Sequence, residues 1–243
     1  MPPLYDTIGL NYARLRQPDP RIAQRIDTAL GDARSVINVG AGAGSYEPPG
    51  RDITAVEPSS EMIAQRPDTG ATVVQAFAED LPFADAYYDA AKAVLTLHHW
   101  SDKARGVAEM RRVARGPLVF LAFDAAFRGF WLTDYFPDLI TLDEERMPAL
   151  SDFSDWLGPV TVTEVPIPHD CTDGFLAAYW RRPAAYLDER VRAAMSSFWA
   201  LGDVSDGVAR LRDDLESGEW EVRYGDLLQR DALDCGYRLV VAK

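Results

Sequence analysis

Val36-Ile37-Asn38-Val39-Gly40-Ala41-Gly42-Ala43-Gly44-Ser45 reads as a short β-branched strand that breaks into three alternating glycines. Glycine at every second position lets the backbone take positive φ and lets a ligand lie directly on the main chain. A second strand, Asp52-Ile53-Thr54-Ala55-Val56, follows and ends in Glu57. An acid closing the second strand of such a unit can accept hydrogen bonds from the two hydroxyls of a ribose. Together the two features predict an adenosine-containing ligand on an α/β sheet.

Two ligand classes use that arrangement. The dinucleotide fingerprint is G-x-G-x-x-G, with a helix N-terminus facing a pyrophosphate. Here the third glycine comes one residue early, and Ser45 stands where the last glycine or alanine would be. Pro48 and Pro49 also lack backbone donors, and Pro49 pushes Pro48 out of helical conformation, so Ser45 to Gly50 cannot open a proper helix. A nicotinamide-dependent oxidoreductase is therefore the weaker alternative.

Further motifs follow in order: Val56-Glu57-Pro58-Ser59-Ser60-Glu61-Met62, Ala78-Glu79-Asp80-Leu81-Pro82-Phe83, Tyr88-Asp89-Ala90 and Leu97-His98-His99-Trp100. In that order and spacing they resemble the class I S-adenosylmethionine-dependent methyltransferases. The likeness is to the small-molecule branch that includes ubiquinone/menaquinone and sugar O-methyltransferases, and it covers residues 35 to 124 well. It implies a Rossmann-like α/β sheet, mostly parallel with an antiparallel last strand and carrying helical cap insertions. S-adenosylmethionine is the implied cofactor, and methyl transfer to a small, largely apolar molecule at a hydroxyl is the implied reaction. A cofactor-binding member that does not methylate, cyclase-like or structural, is the other alternative.

Composition narrows the partners. The chain has 243 residues, of which 47% are hydrophobic, enough for one domain with a full core. Its net charge of −13 repels a polyphosphate backbone, so nucleic acid is not expected. There is no basic amphipathic segment for a membrane surface and no apolar run of spanning length. Met1-Pro2-Pro3-Leu4 lacks the pattern of a signal peptide, so a cytoplasmic enzyme is expected. Cys171 and Cys235 have neither metal-site spacing nor scaffold density, and read as buried thiols; no metal site is expected.

Along the chain, residues 4 to 30 read as helical, interrupted at Pro18-Asp19-Pro20, and 1–30 is expected to cover the sheet. The resemblance makes Tyr12 and Arg16 candidates for the methionine end of the cofactor; a core stripe with a solvated arginine is the plain alternative. Gly40, Gly42 and Gly44 are the cofactor turn. Asn38 stands where the family prefers an acid, which removes a charge near the bound ammonium. The first crossover is a proline-bearing loop in place of the usual helix. A short helix is expected from Ser59 to Arg66, capped by Ser59 or Ser60, with Pro58 beside the ribose and Met62 facing the adenine. The third strand is read as Thr72 to Ala78. By resemblance, Ala78 and Glu79 meet the adenine edge through backbone N–H and carboxylate, and Phe77 replaces a usual Asp.

Asp89 to Thr96 reads as the fourth strand, apolar except for Lys92, and Leu95 and Thr96 at its end are further cofactor candidates. An amphipathic helix follows from a Ser101 or Asp102 cap to about Ala114, then a fifth strand from Pro117 to Phe123. The carboxyl ends of these strands share one rim, where ligands of open α/β sheets bind. By resemblance, His98 or His99 accepts the acceptor's proton and Asp124 orients it, with the imidazole pKa raised by that carboxylate. The plain alternative is that the histidines shape a loop and Asp124 caps a turn. His169 reads as a structural turn residue. Residues 125–157, aromatic-rich, and 169–235, mostly helical, are expected as cap segments of a single domain spanning 1–243. Val160 to Ile167 and Tyr237 to Ala242 are the last strands. A small-molecule substrate is the expected partner, with oligomeric state open.

Overall fold

The computed structural model describes residues 16–243. Tyr12 and the expected first half of the N-terminal helix lie outside the described residues. Among these, seven strands form one sheet in the order β3-β2-β1-β4-β5-β9-β6. The strands are β1 (Ser35–Val39), β2 (Asp52–Val56), β3 (Thr72–Val74), β4 (Ala90–Val94), β5 (Leu118–Phe123), β6 (Val160–Glu164) and β9 (Tyr237–Ala242). β1 to β5 pair parallel with their neighbours, and β9 runs antiparallel between β5 and β6. This is the mostly parallel sheet with an antiparallel last strand that the motifs implied.

Side-chain alternation along β5 shows how the sheet is sealed. Val119 and Leu121 join one apolar cluster with Ile22 and Ile26 of α1 (Pro20–Ala29). Leu118 and Phe120 join the opposite cluster with Val107 and Met110 of α3 (Lys103–Val113). A strand buried on both faces needs such a continuous apolar run. Helix starts follow capping chemistry: Asp19, Ser59 and Asp102 side chains accept N–H groups of α1, α2 (Ser60–Ala64) and α3.

Several expected bounds change. β3 stops at Val74, because it is an edge strand with Thr72 and Val73 exposed and pairs only with the end of β2. β4 stops at Val94, because Leu95 takes φ +51° and turns the chain out of the sheet. β6 stops at Glu164; Ile167–Pro168 (β7) pairs instead with Ala232–Leu233 (β8) in a separate ladder.

The two insertions also divide. Within 125–157, α4 (Asp138–Arg146) lies on the cap side, whereas α5 (Leu150–Leu157) puts Phe153 against Phe120 under the other sheet face, ring centroids 5.2 Å apart. Residues 169–182 hold no regular helix, and the rest is broken into α6 (Glu189–Ala193), α7 (Ser196–Leu201), α8 (Ser205–Ser217) and α9 (Glu219–Tyr224). Gly202 and Gly218, at φ +73° and +82°, make two of the breaks. Trp131 is core of this region: its indole N–H donates to the Trp180 carbonyl at 2.8 Å, and its ring meets Tyr135, Tyr186 and Trp220 edge-on.

Candidate functional site

The glycine turn leaves β1 under tight control. Gly40 and Ala41 both donate to the Val56 carbonyl at 2.9 Å. Gly40 has φ +70°, and a Cβ there would lie 2.1 Å from the Thr96 hydroxyl oxygen. Glu57, at the end of β2, accepts from the Gly42 N–H at 2.8 Å and the Ser59 N–H at 2.9 Å. Its carboxylate therefore ties the turn to the cap of α2, and it lines the cavity above.

That cavity measures about 720 Å³, within the range of small-molecule sites. Asn38, Gly40, Gly42, Glu57, Pro58, Met62, Ala78, Glu79, Leu95, Thr96, His99 and Arg16 all face it. Gly44 does not line it and packs instead against the Arg66 guanidinium. The Glu79 carboxylate, expected at the adenine, accepts from Ser101 N, Ser101 Oγ and Asp102 N at 2.7, 2.8 and 3.1 Å, so it anchors the loop that starts α3. Trp100, to which the motifs assign no role, forms part of the wall.

Beneath the turn lies a buried polar cluster that occupies the place of the missing crossover helix. Asn38 and Lys92 are register partners on β1 and β4. Asn38 donates to Glu47 at 2.8 Å, and the Lys92 ammonium donates to the Tyr46 carbonyl at 2.7 Å. Glu47 also pairs with Arg66 at 2.7 Å, both side chains 5% exposed. The acid missing at position 38 is thus supplied next door by Glu47 from the proline-bearing loop. Burial pushes the Lys92 pKa down to about 7, with Glu47 opposing and Arg66 assisting.

Arg16 is held against this site by Asp173, fully buried, at 2.6 Å. The other Asp173 oxygen accepts from the Tyr46 hydroxyl at 2.8 Å. One aspartate thereby ties Arg16 to the glycine-turn loop.

A second, smaller cavity of about 60 Å³ adjoins the first at Arg16, Leu95 and Thr96. His98 faces this one, and His99 the larger. The two rings lie tilted at 48° with centroids 3.8 Å apart. Burial pushes His98 well below the ordinary histidine range, helped by His99, Arg146, Arg16 and Lys103. His99 is pushed down to about 4 by burial and the same three cations. Both rings keep some exposed surface because they line cavities, yet protein surrounds them. The expected upward shift is corrected: burial and the cations Arg16, Arg146 and Lys103 lower both rings.

Asp124 is corrected too. It lines neither cavity, and its Oδ1 accepts from the Ala126 N–H at 3.0 Å, capping the turn after β5. The carboxylate that does face the smaller cavity is Asp143 of α4. No group of three or more His, Cys, Asp or Glu among the described residues could hold a metal ion, and no helix there is long and apolar enough to cross a membrane.

A family model described as "Methyltransferase domain" matches residues 37–119. A solved structure of a putative methyltransferase from an antibiotic biosynthesis pathway of Anabaena variabilis is 34% identical, with TM-score 0.87, over 94% of this chain and 99% of that one. This chain belongs to the S-adenosylmethionine-dependent methyltransferases. The 2-methyl-6-phytyl-1,4-hydroquinone methyltransferase 2 of Oryza sativa subsp. japonica is 30% identical over 36% of this chain and 24% of its own length. The chloroplastic 2-methyl-6-phytyl-1,4-hydroquinone methyltransferase of Arabidopsis thaliana is 25% identical over 61% of this chain and 41% of its own length. The chain thus spans less than half the length of the curated relatives it matches.

The methyltransferase cofactor fits the residues present. Gly40 and Gly42 hold positive φ on the cavity floor, and a Cβ at Gly42 would reach the Met62 methyl at 3.3 Å. The Glu57 carboxylate at the end of β2 would receive the ribose hydroxyls, and Asn38 and Arg16 line the same cavity. Replacing Glu57 by alanine should weaken S-adenosylmethionine binding about tenfold or more, since a hydrogen bond to a charged group is worth roughly 1.5–3 kcal/mol. It should also lower the melting temperature by leaving the Gly42 and Ser59 N–H groups without their acceptor. Calorimetric titration beside thermal melting checks both; lowered stability with unchanged affinity would make Glu57 a purely structural residue.

Proposed function

We propose that this methyltransferase alkylates a hydroxyl oxygen of a small, largely apolar molecule, working in the cytoplasm, with the acceptor held in the smaller cavity. The supporting observation is the meeting of two unlike cavities at Arg16, Leu95 and Thr96. The larger is floored by backbone and acids suited to an adenosine. The smaller is walled by Leu121, Phe123, Met147, Phe175, Leu176 and Met195, with His98, Asp143 and Tyr237 among the polar groups that interrupt this apolar wall. The curated relatives are named for a hydroquinone, an apolar molecule that carries hydroxyls.

Electrostatics favour the same acceptor. Arg16, Arg146 and Lys103 act together on the histidine pair. That positive field opposes a cationic acceptor and stabilises an oxygen as it loses its proton. When bound, S-adenosylmethionine supplies an electrophilic methyl on a sulfonium. The chain contributes orientation and water exclusion, which account for much of such a displacement. His98 presents a neutral ring to the acceptor, held neutral by burial and its cationic neighbours.

A cavity of about 60 Å³ admits only the reacting edge of a molecule, so binding displaces part of its wall. Met195 caps the short helix α7 and Ser196 and Ser197 open it, so the wall here rests on the first turn of a six-residue helix, which has little regular structure to lose. The test is a screen of hydroxylated arenes with S-adenosylmethionine, read by mass spectrometry for one methyl gained and for the demethylated cofactor. Cofactor binding without either product across the panel would reject methyl transfer to a hydroxyl.

A further inference from the structure

We propose that Asp143 is the residue that grips the acceptor's hydroxyl and removes its proton. This rests on the reading that the acceptor is a hydroxyl compound in the smaller cavity. Asp143 is 7% exposed and lies on α4, inside the region expected as a cap. It lines the acceptor cavity on one side and a small apolar pocket formed with Leu139 and Phe123 on the other. No ion pair or side-chain hydrogen bond holds its carboxylate among the described residues; its backbone carbonyl accepts from the Met147 N–H at 2.8 Å as the helix ends.

A buried carboxylate without a partner is costly, and a protein of marginal stability keeps one where a ligand completes it. The groups around it are few: Arg16 and His98 across the cavity, Tyr237 on β9, and Arg128 on the turn after β5. Arg16 is committed to Asp173, and Arg128 reaches Glu144 at 2.5 Å. Neither neutralises Asp143. Burial accordingly pushes its pKa up to about 7, with Arg128 a lesser opposing pull. A base works best when its pKa lies near the working pH, and His99 at about 4 does not meet that condition.

The step balances simply. The acceptor O–H bond breaks and its proton passes to an Asp143 carboxylate oxygen. The oxygen lone pair forms the new bond to the methyl carbon, the carbon–sulfur pair returns to sulfur as a neutral thioether, and Asp143 gives its proton to solvent as product leaves. Asp143 must be ionised to act, so the rate rises with pH through about 7.

Ligand-observed NMR on the full chain, without cofactor, tests recognition with 4-methylphenol and its methyl ether as probes. The wild type is expected to bind the phenol over the ether, and Asp143→Leu to lose the phenol at least tenfold. Asp143→Asn keeps a hydrogen-bond acceptor and retains most of that binding. With an acceptor from the screen, Asp143→Asn lowers kcat by about 10²–10⁴-fold with KM little changed, and the acidic limb near neutral pH disappears. Both variants remain folded, because removing an unpaired buried charge does not destabilise above pH 7. Equal binding of phenol and ether, binding of neither, an unaffected Leu variant, or an Asn variant that keeps its kcat and its acidic limb each overturns the assignment. Failure of the methyl-transfer reading looks different: the phenol arm succeeds while no acceptor gains a methyl.

Discussion

Gly40→Ala should abolish measurable S-adenosylmethionine binding, lowering affinity by at least a hundredfold. Two costs combine at this position. Alanine at φ +70° is strained by roughly 1–2 kcal/mol. The added methyl would also sit 2.1 Å from Thr96 Oγ1 and 2.7 and 2.8 Å from its carbons, an overlap that core repacking relieves only at about 1–3 kcal/mol. Thr96 cannot retreat easily, because it follows Leu95, whose own φ is +51°, and it begins the tight turn holding His98 and His99. The whole strain therefore falls on the floor of both cavities. Gly31→Ala is the control: φ is +59° there, but nothing lies within 4 Å of the new methyl. Gly31→Ala should cost about 1–2 kcal/mol of stability and leave cofactor affinity intact. Calorimetric titration of both variants checks the contrast; equal effects would mean that conformational strain alone matters and that the Gly40–Thr96 contact does not shape the site.

The same contrast between local and tertiary causes explains what the sequence disclosed. β1, β2, β5 and β9 are apolar runs closed by turn residues, so period and punctuation were enough to place them. The proline-bearing crossover was legible for the same reason: Pro48 and Pro49 forbid a helix whatever surrounds them. Asp124 was chosen because it closes a strand on the rim, but an aspartate two residues before a free N–H folds back onto its own turn, and Ala126 supplied that N–H. Asp143 carried no local sign, since a lone acid in a helix among other acids looks solvated until the fold buries it. The histidine pair follows β4 and faces the two cavities, yet its pKa direction depends on burial and on Arg16 and Arg146, which come from distant stretches, as well as on nearby Lys103. The segment 169–235 has helical stripes, but Pro183, Gly202 and Gly218 cut it into pieces shorter than the stripes suggested.

Lys92 is the case where the signal was visible and its meaning was not, and it gives the largest expected stability effect. It is the one charge in an apolar strand, fully buried, and among the described residues its ammonium donates to the Tyr46 carbonyl alone. In the unfolded chain it holds its proton up to the ordinary value of 10.5; in the fold it releases it near 7. Above pH 7 the unfolded state therefore binds more protons, and stability rises with pH. Above about 9 the cysteines oppose this, since burial holds the Cys171 thiol up at about 12 and Cys235 higher still. The clean window is pH 7 to 9, over which Lys92 should contribute roughly 2–3 kcal/mol of rising stability. Lys92→Met removes the titration. It also leaves the Tyr46 carbonyl without its donor, a loss that the end of the desolvation cost offsets at pH 7. Urea unfolding at pH 7, 8 and 9 should give curves for the two proteins that start close together and diverge, the wild type gaining. Parallel curves would mean that Lys92 stays charged inside the fold, with Glu47 rather than deprotonation meeting its charge. Because Asn38 and Lys92 together pin the loop that carries Tyr46 and Glu47, and Tyr46 in turn meets Asp173 and so Arg16, the methionine variant should also loosen cofactor binding, most at the end of the cavity that Arg16 borders.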